Sequence, residues 1–223
     1  MAQQNSKDGG GLRGLVIGMV VFVVAVGAAF TVISNKSNSQ AKTPSVVSKA
    51  DGYGIVFNPT GSPTIEIWED FQCPVCAQFE SINHSYIESL ARGKDVKVVY
   101  YPLSFLGPES VLAANAAGCA AEEGKFLEFH RSLYMNQPAE NSGAINATWL
   151  QLLGAGAGLT SNKYINCVTK GSYYGWVKNV AANGAKNNIN STPTVKVNGK
   201  ELDRATQYMD SAAFKKAITD AGA

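Results

Sequence analysis

Two cysteines separated by a proline and a valine, Cys73-Pro74-Val75-Cys76, carry the most definite chemistry in this chain. A β-branched, strand-like run precedes them and a helix-periodic run follows, so the pair stands at a helix start. Proline at the first helical position costs nothing, because its missing N–H would be unpaired there anyway. The free N–H groups and the helix dipole stabilise a thiolate on Cys73. Cys76, one turn in, is close enough to close a ring with it. A depressed thiolate pKa makes Cys73 a good leaving group and favours the dithiol, which makes the disulfide oxidising. Two other uses of the pair are zinc binding and a static disulfide. Zinc needs about four ligands. The chain has no second C-x-x-C, and its two histidines are His84 and His130, so no metal site is expected. A two-residue ring constrains little chain, which weakens the static disulfide.

The other two cysteines, Cys119 and Cys167, bring the total to four. An even count suits two disulfides in an oxidising compartment. Outside the cytoplasm this second pair is expected to be a structural disulfide; a second redox relay and two buried thiols are the alternatives. His84 and His130 fall on helices and read as surface or packing residues. Tyr173, Tyr174 and Trp176 could line a peptide groove, with core packing as the ordinary use. A net charge of +2 over 223 residues is too near neutral to suggest nucleic acid binding or a polybasic membrane-surface role.

The compartment is indicated by the N-terminus. Leu15 to Ile33 is apolar and free of charge, close to the ~20 residues that span a bilayer and longer than the usual ~7–15 of a signal-peptide core. It has no polar face, so it is not a buried core helix. It reads as a retained single-pass anchor after a short cytoplasmic tail over residues 1–14; cleavage near Gly27, Ala28 and Ala29 is the alternative. Lys7 and Arg13 precede the span, but Lys36, Lys42 and Lys49 follow it. Basic residues therefore do not set the orientation. An extracytoplasmic domain follows instead from the cysteine chemistry. Residues 34–53, rich in Ser, Asn, Lys and Gln, read as a flexible tether.

Strands are expected at Gly54–Phe57, Thr64–Trp68 and Val96–Tyr101. A helix between the last two carries Cys76, Phe79, Ile82, Tyr86, Ile87 and Leu90 on one face, with Gly93 as its stop. Strand, helix, strand at this spacing is a βαβ unit with a parallel pair. Helical patterns fill most of residues 109–188. Thr192-Pro193-Thr194-Val195-Lys196-Val197 returns to strand, Asn198-Gly199 signals a hairpin, and a helix from Ser211, its expected N-cap, closes the chain.

With these residues in view the chain resembles the DsbA-like branch of the thioredoxin superfamily, in its membrane-anchored form. Asp70-Phe71-Gln72-Cys73-Pro74-Val75-Cys76, Phe79-Glu80 and Thr192-Pro193-Thr194 carry the resemblance, which covers roughly residues 54–223. It implies an α/β thioredoxin fold with an inserted helical domain at about 106–188, here preceded by one N-terminal transmembrane helix. It also implies that Pro193 follows a cis bond and faces the two cysteines, and that the Thr192 backbone pairs with an extended substrate. The chain departs from the family pattern in three ways. Val75 stands where DsbA has histidine, which implies a milder oxidant. Ile67 stands where relatives bury an acid; Glu69, on the same strand face, and Glu80 are candidates to tune the thiol pKa instead, the alternative being two solvated charges. Cys119 and Cys167 form an extra pair, as in certain anchored relatives.

The resemblance implies a protein thiol–disulfide oxidoreductase that donates its Cys73–Cys76 disulfide to exported chains. An anchored reductase or isomerase, for instance in cytochrome c maturation, is the second reading, and a redox-inactive binding domain the third. No flavin, quinone or haem motif is present and no cofactor is expected. An integral membrane oxidase of the DsbB or vitamin-K-epoxide-reductase type is therefore the expected partner, at the membrane reached through residues 15–33.

Overall fold

A computed structural model describes residues 41–223. The cytoplasmic tail over 1–14, the membrane anchor over 15–33 and the first part of the tether lie outside the described residues. Among the described residues no helix is long and apolar enough to cross a membrane.

Six strands form one sheet: β1 (Val47–Ser48), β2 (Gly54–Phe57), β3 (Thr64–Asp70), β4 (Lys97–Leu103), β5 (Thr194–Val197) and β6 (Lys200–Glu201), in the spatial order β1-β2-β4-β3-β5-β6. β3 and β4 are parallel, with Trp68 opposite Tyr101; every other pairing is antiparallel. The parallel pair is joined by helix α1 (Pro74–Arg92), the crossover that a βαβ unit requires. Five helices lie between β4 and β5: α2 (Pro108–Glu122), α3 (Phe126–Met135), α4 (Ala147–Gly156), α5 (Asn162–Lys170) and α6 (Tyr174–Lys186). Helix α7 (Ser211–Asp220) closes the chain.

The sheet is covered on both faces, so β3 and β4 are buried almost throughout. Their side chains alternate between two layers. Ile65, Ile67 and Glu69 point one way; Tyr100 on β4 sends its ring to Phe126 and His130 of α3. On the opposite face Trp68 stacks on Tyr101 at 3.6 Å between centroids. There Gly184 of α6 comes so close to Leu103 that an added Cβ would lie 2.9 Å from Leu103 Cδ2. α1 is held against α7 by Phe79, which packs edge-on to Tyr208 and Phe214 at 5.6 and 5.7 Å. Asn198 and Gly199 both have positive φ, +50° and +76°, as the tight β5–β6 turn demands.

Three details differ from the sequence reading. The latter part of the expected tether is structured: β1 pairs with β2, and the Ser45 N–H donates to Glu122 Oε2 at 2.8 Å. A two-residue strand is too short to show a period, and its order comes from partners far along the chain. β4 runs on through Pro102 to Leu103. It has lost β2 as a neighbour beyond Tyr100, where a strand tolerates a residue without an N–H. The closing helix is capped by Asp210, whose carboxylate accepts from the Ala213 N–H, and Ser211 is its first residue.

Cys119 on α2 and Cys167 on α5 form a disulfide across 48 residues of sequence, with Cα atoms 5.9 Å apart. Closing a loop of that length is worth about 4 kcal/mol through the entropy of the unfolded chain. Replacing both by serine should lower the unfolding free energy by about 2–5 kcal/mol, read as an earlier denaturant midpoint, with a slope that rises as the unfolded chain expands. An unchanged midpoint would mean that the helices hold without the bridge.

Candidate active site

The C-terminal end of β3 delivers the chain to the start of α1. Cys73 is the N-cap residue of that helix, in extended backbone (φ −73°, ψ 116°), with Pro74 in the first turn. Its carbonyl accepts the Cys76 and Ala77 N–H groups. Cys73 and Cys76 are both free thiols. Cys73 retains 7% of its surface and Cys76 none, so a reagent reaches the pair through Cys73.

The turn into this helix is pinned by Asp70, which is fully buried. Asp70 Oδ1 accepts from the Gln72 N–H (3.0 Å) and the Ser110 hydroxyl (2.6 Å). Its Oδ2 accepts from the Phe105 and Leu106 N–H groups (3.0 and 3.2 Å). One carboxylate thus ties the end of β3 to the loop between β4 and α2. The Gln137 amide donates to the Phe71 and Cys73 carbonyls (2.9 and 3.1 Å), and Asn141 N–H donates to Gln72 Oε1 (2.8 Å). The sequence marks Asp70 and Gln72 only as parts of a motif; Gln137 and Asn141, from a loop after α3, give no sequence signal.

Across from the cysteines, Thr192 and Pro193 are joined by a cis bond. A second cis bond, Ser62–Pro63, had no sequence indication. The Thr192 carbonyl lies 3.5 Å from Cys73 Sγ. Arg204 donates to the Thr192 and Pro193 carbonyls (3.2 and 3.0 Å), and the Tyr208 hydroxyl donates to the Pro193 carbonyl (2.8 Å). Arg204 and Tyr208 belong to a π-helical turn, Arg204–Tyr208, and fix the loop that faces Cys73. Sequence reading missed both, because a five-residue turn shows no period.

The two thiols sit in opposite fields. Cys73 is lowered to about 6 by the hydrogen bond from the Cys76 thiol, helped by Thr192 and by the Cys76 and Val75 N–H groups at the helix start, against its burial. Cys76 is pushed well above the ordinary thiol range by burial and by its bond to Cys73. At neutral pH Cys73 is the thiolate and Cys76 the thiol.

Glu69 and Glu80 are not solvated charges: both are buried, at 4% and 3% exposure. His84 and His130 are packing residues, as expected, and neither is on the surface; His130 lies among the rings of Phe71, Tyr100, Phe126 and Tyr134. His130, 1% exposed, places Nε2 3.0 Å from Glu69 Oε2 and Nδ1 3.7 Å from Glu80 Oε2. His84 places Nδ1 2.7 Å from Glu80 Oε2 and Nε2 2.9 Å from Glu88 Oε2. Burial holds His130 down at about 4, and burial holds Glu69 well above the carboxylate range. Their contact is therefore a neutral hydrogen bond rather than an ion pair. Spacing along α1 put Glu80, His84 and Glu88 on one face; only the packing of α1 on α3 and β3 brought His130 and Glu69 to them.

The remaining candidates lie elsewhere. The Cys119–Cys167 disulfide joins α2 to α5 and is separate from the C-x-x-C pair. Tyr173 and Trp176 are core residues, and the Trp176 Nε1–H donates to the Tyr53 carbonyl at 2.8 Å.

A family model described as "Thioredoxin" matches residues 54–220. Among solved structures, the chain is similar to the reduced form of the disulfide bond oxidoreductase DsbG from Mycobacterium tuberculosis: 29% identity, TM-score 0.62, covering 80% of this chain and 85% of that one. It is also similar to oxidised DsbA from the same organism (28%, 0.62, covering 75% and 92%). Oxidised BdbD from Bacillus subtilis is a further match (26%, 0.64, covering 81% and 96%). A curated relative, a Na(+)/H(+) antiporter NhaA 3 from Salinispora tropica, is 36% identical over 85 residues, which are 37% of this chain and 13% of the antiporter. The chain thus spans about an eighth of that protein's length.

Iodoacetamide should alkylate Cys73 of the reduced chain at a rate that rises through about pH 6 and levels off by neutral pH. The sign follows from the thiolate being the reactive form. A rate that climbs only near the ordinary thiol value, about 8.5, would remove the asymmetry between the two cysteines. Asp70→Asn, which sets an NH2 group against backbone N–H donors, should cost about 1–3 kcal/mol in unfolding free energy.

Proposed function

The chain belongs to the thioredoxin family and is a thiol–disulfide oxidoreductase; from that premise we propose that it introduces disulfides into exported proteins from the outer side of the cell membrane. The observation that carries the reading is the divided acidity of the pair, with Cys73 near 6 and Cys76 far above the thiol range. A stable Cys73 thiolate stabilises the reduced enzyme, and so makes its disulfide an oxidant.

In the reaction a substrate thiolate attacks Cys73 Sγ of the disulfide. The Cys73–Cys76 bond breaks, and Cys76 leaves with the electron pair and takes up a proton, as its burial requires. A second substrate thiolate attacks the substrate sulfur of the mixed disulfide. Cys73 then leaves as a thiolate, which its low pKa favours. The substrate is oxidised by two electrons and the enzyme holds them as a dithiol. The substrate lies extended along the loop at Thr192 and Pro193, adding its backbone at the sheet edge. A membrane oxidase of the DsbB or vitamin-K-epoxide-reductase type takes the electrons away, and residues 15–33 keep the domain at the same surface as that partner. An oxidising compartment also suits the Cys119–Cys167 bridge.

In Cys76→Ala, mixed disulfides through Cys73 should accumulate and be visible on non-reducing gels; Cys73→Ala should trap none. Adducts formed through Cys76 would reverse the assignment. The reduction potential of the pair should be well above that of thioredoxin, about −270 mV. A value near thioredoxin's would favour the reductase reading.

A further inference from the structure

The two histidines of the chain share a geometry that disulfide exchange does not use. His84 Nδ1, His130 Nδ1 and the Glu80 carboxylate converge within 4.8 Å of one another, and all three residues are buried. On each histidine the other ring nitrogen meets a second carboxylate: His84 Nε2 faces Glu88, and His130 Nε2 faces Glu69. Those two contacts orient the rings, as second carboxylates do for metal-bound imidazoles, and the Nδ1 edge of each ring is turned toward Glu80. His130 Nδ1 and Glu80 Oε1 are buried without a hydrogen-bond partner, and His130 Nδ1 lies 3.7 Å from the other oxygen of the same carboxylate.

From this convergence we propose that Glu80, His84 and His130 form a zinc site behind the redox pair. Two neutral imidazoles and one carboxylate are a donor set zinc accepts, at about 2.0–2.2 Å from each atom. Tetrahedral geometry then sets ligand atoms about 3.4 Å apart. The 3.7 Å between His130 Nδ1 and Glu80 Oε2 already fits. The 2.7 Å between His84 Nδ1 and Glu80 Oε2 is a hydrogen bond that must open by under an ångström, or yield to coordination through the free Oε1. A pocket of about 180 Å³ lined by Ala77, Ser81, Ser85, Arg131, Tyr134 and Met135 adjoins Glu80 and His84; it offers the ion a way in, past the Arg131 side chain, and room for a water ligand. Bound there, the ion clamps α1 to α3.

The test uses the full chain with Cys73 and Cys76 oxidised, confirmed by thiol titration, so that no thiolate competes for metal. Zinc sulfate alone is titrated by calorimetry, and retention is measured after gel filtration. One equivalent should stay bound. Affinity should fall about 10-fold or more in His84→Gln and in His130→Gln, and should be unchanged in Glu128→Gln, a surface control. Cobalt(II) in the unaltered chain should give the intense visible bands of a tetrahedral centre and no thiolate charge-transfer band. Absence of stoichiometric zinc, binding that persists in both histidine variants, or a thiolate band would each overturn the site. Circular dichroism monitors folding; if His130→Gln does not fold, His84→Gln and the cobalt spectrum still decide.

Discussion

The carboxylate of Asp70 is the constraint on which the active site depends. A buried charge survives only if its oxygens are satisfied, and Asp70 meets that condition with two donors on each oxygen, drawn from Gln72, Ser110, Phe105 and Leu106. The end of β3, the loop after β4 and the first turn of α2 therefore meet at one point. The turn through Phe71 and Gln72 has little freedom left, and it delivers Cys73 to the helix start. The thioredoxin chemistry of this chain begins with a hydrogen-bonded corner three residues before the first cysteine.

The corner makes possible a gradient across one turn of helix. Cys73 lies where the N–H groups of α1 are free, and Cys76 lies where the first full turn has closed over it. The same burial that suppresses ionisation of Cys76 also acts on Glu69, Glu80 and His130 behind it. The pair is thus polarised from both sides, by helix dipoles in front and by a dry, ionisable layer behind. The π-helical turn adds the third element: Arg204 and Tyr208 hold the Thr192–Pro193 loop by its carbonyls, so the wall facing Cys73 is as fixed as the helix that carries it.

The inserted helices do more than enlarge the domain. α3 supplies His130 and the rings of Phe126 and Tyr134 to the back of the site, and the loop after it supplies Gln137 and Asn141 to the front. α2 supplies Ser110 to the Asp70 corner. α2 and α5 are cross-linked by Cys119–Cys167, so a helix late in the insertion is tied to the one that touches the active site.

The C-x-x-C pair, the βαβ unit around it, the β5 hairpin and the helical patterns of residues 109–188 were legible in the sequence from local signals, spacing, turn residues and period; that the Thr192-Pro193 loop faces the pair, and that the helices form an insertion, came from the family resemblance. Those signals are properties of a few consecutive residues and need no knowledge of what lies opposite. Tertiary structure alone decided the rest. Glu69 and His130 are 61 residues apart and Asp70 and Leu106 are 36 apart, and no periodicity links them. Whether Glu69, Glu80 and the two histidines are solvated or buried depends on which helix packs over them, and burial sets their charge. A period can say which face of α1 holds Glu80 and His84. Only the docking of α3 on that face makes it a dry layer that turns His130 neutral and leaves two ligand atoms without partners.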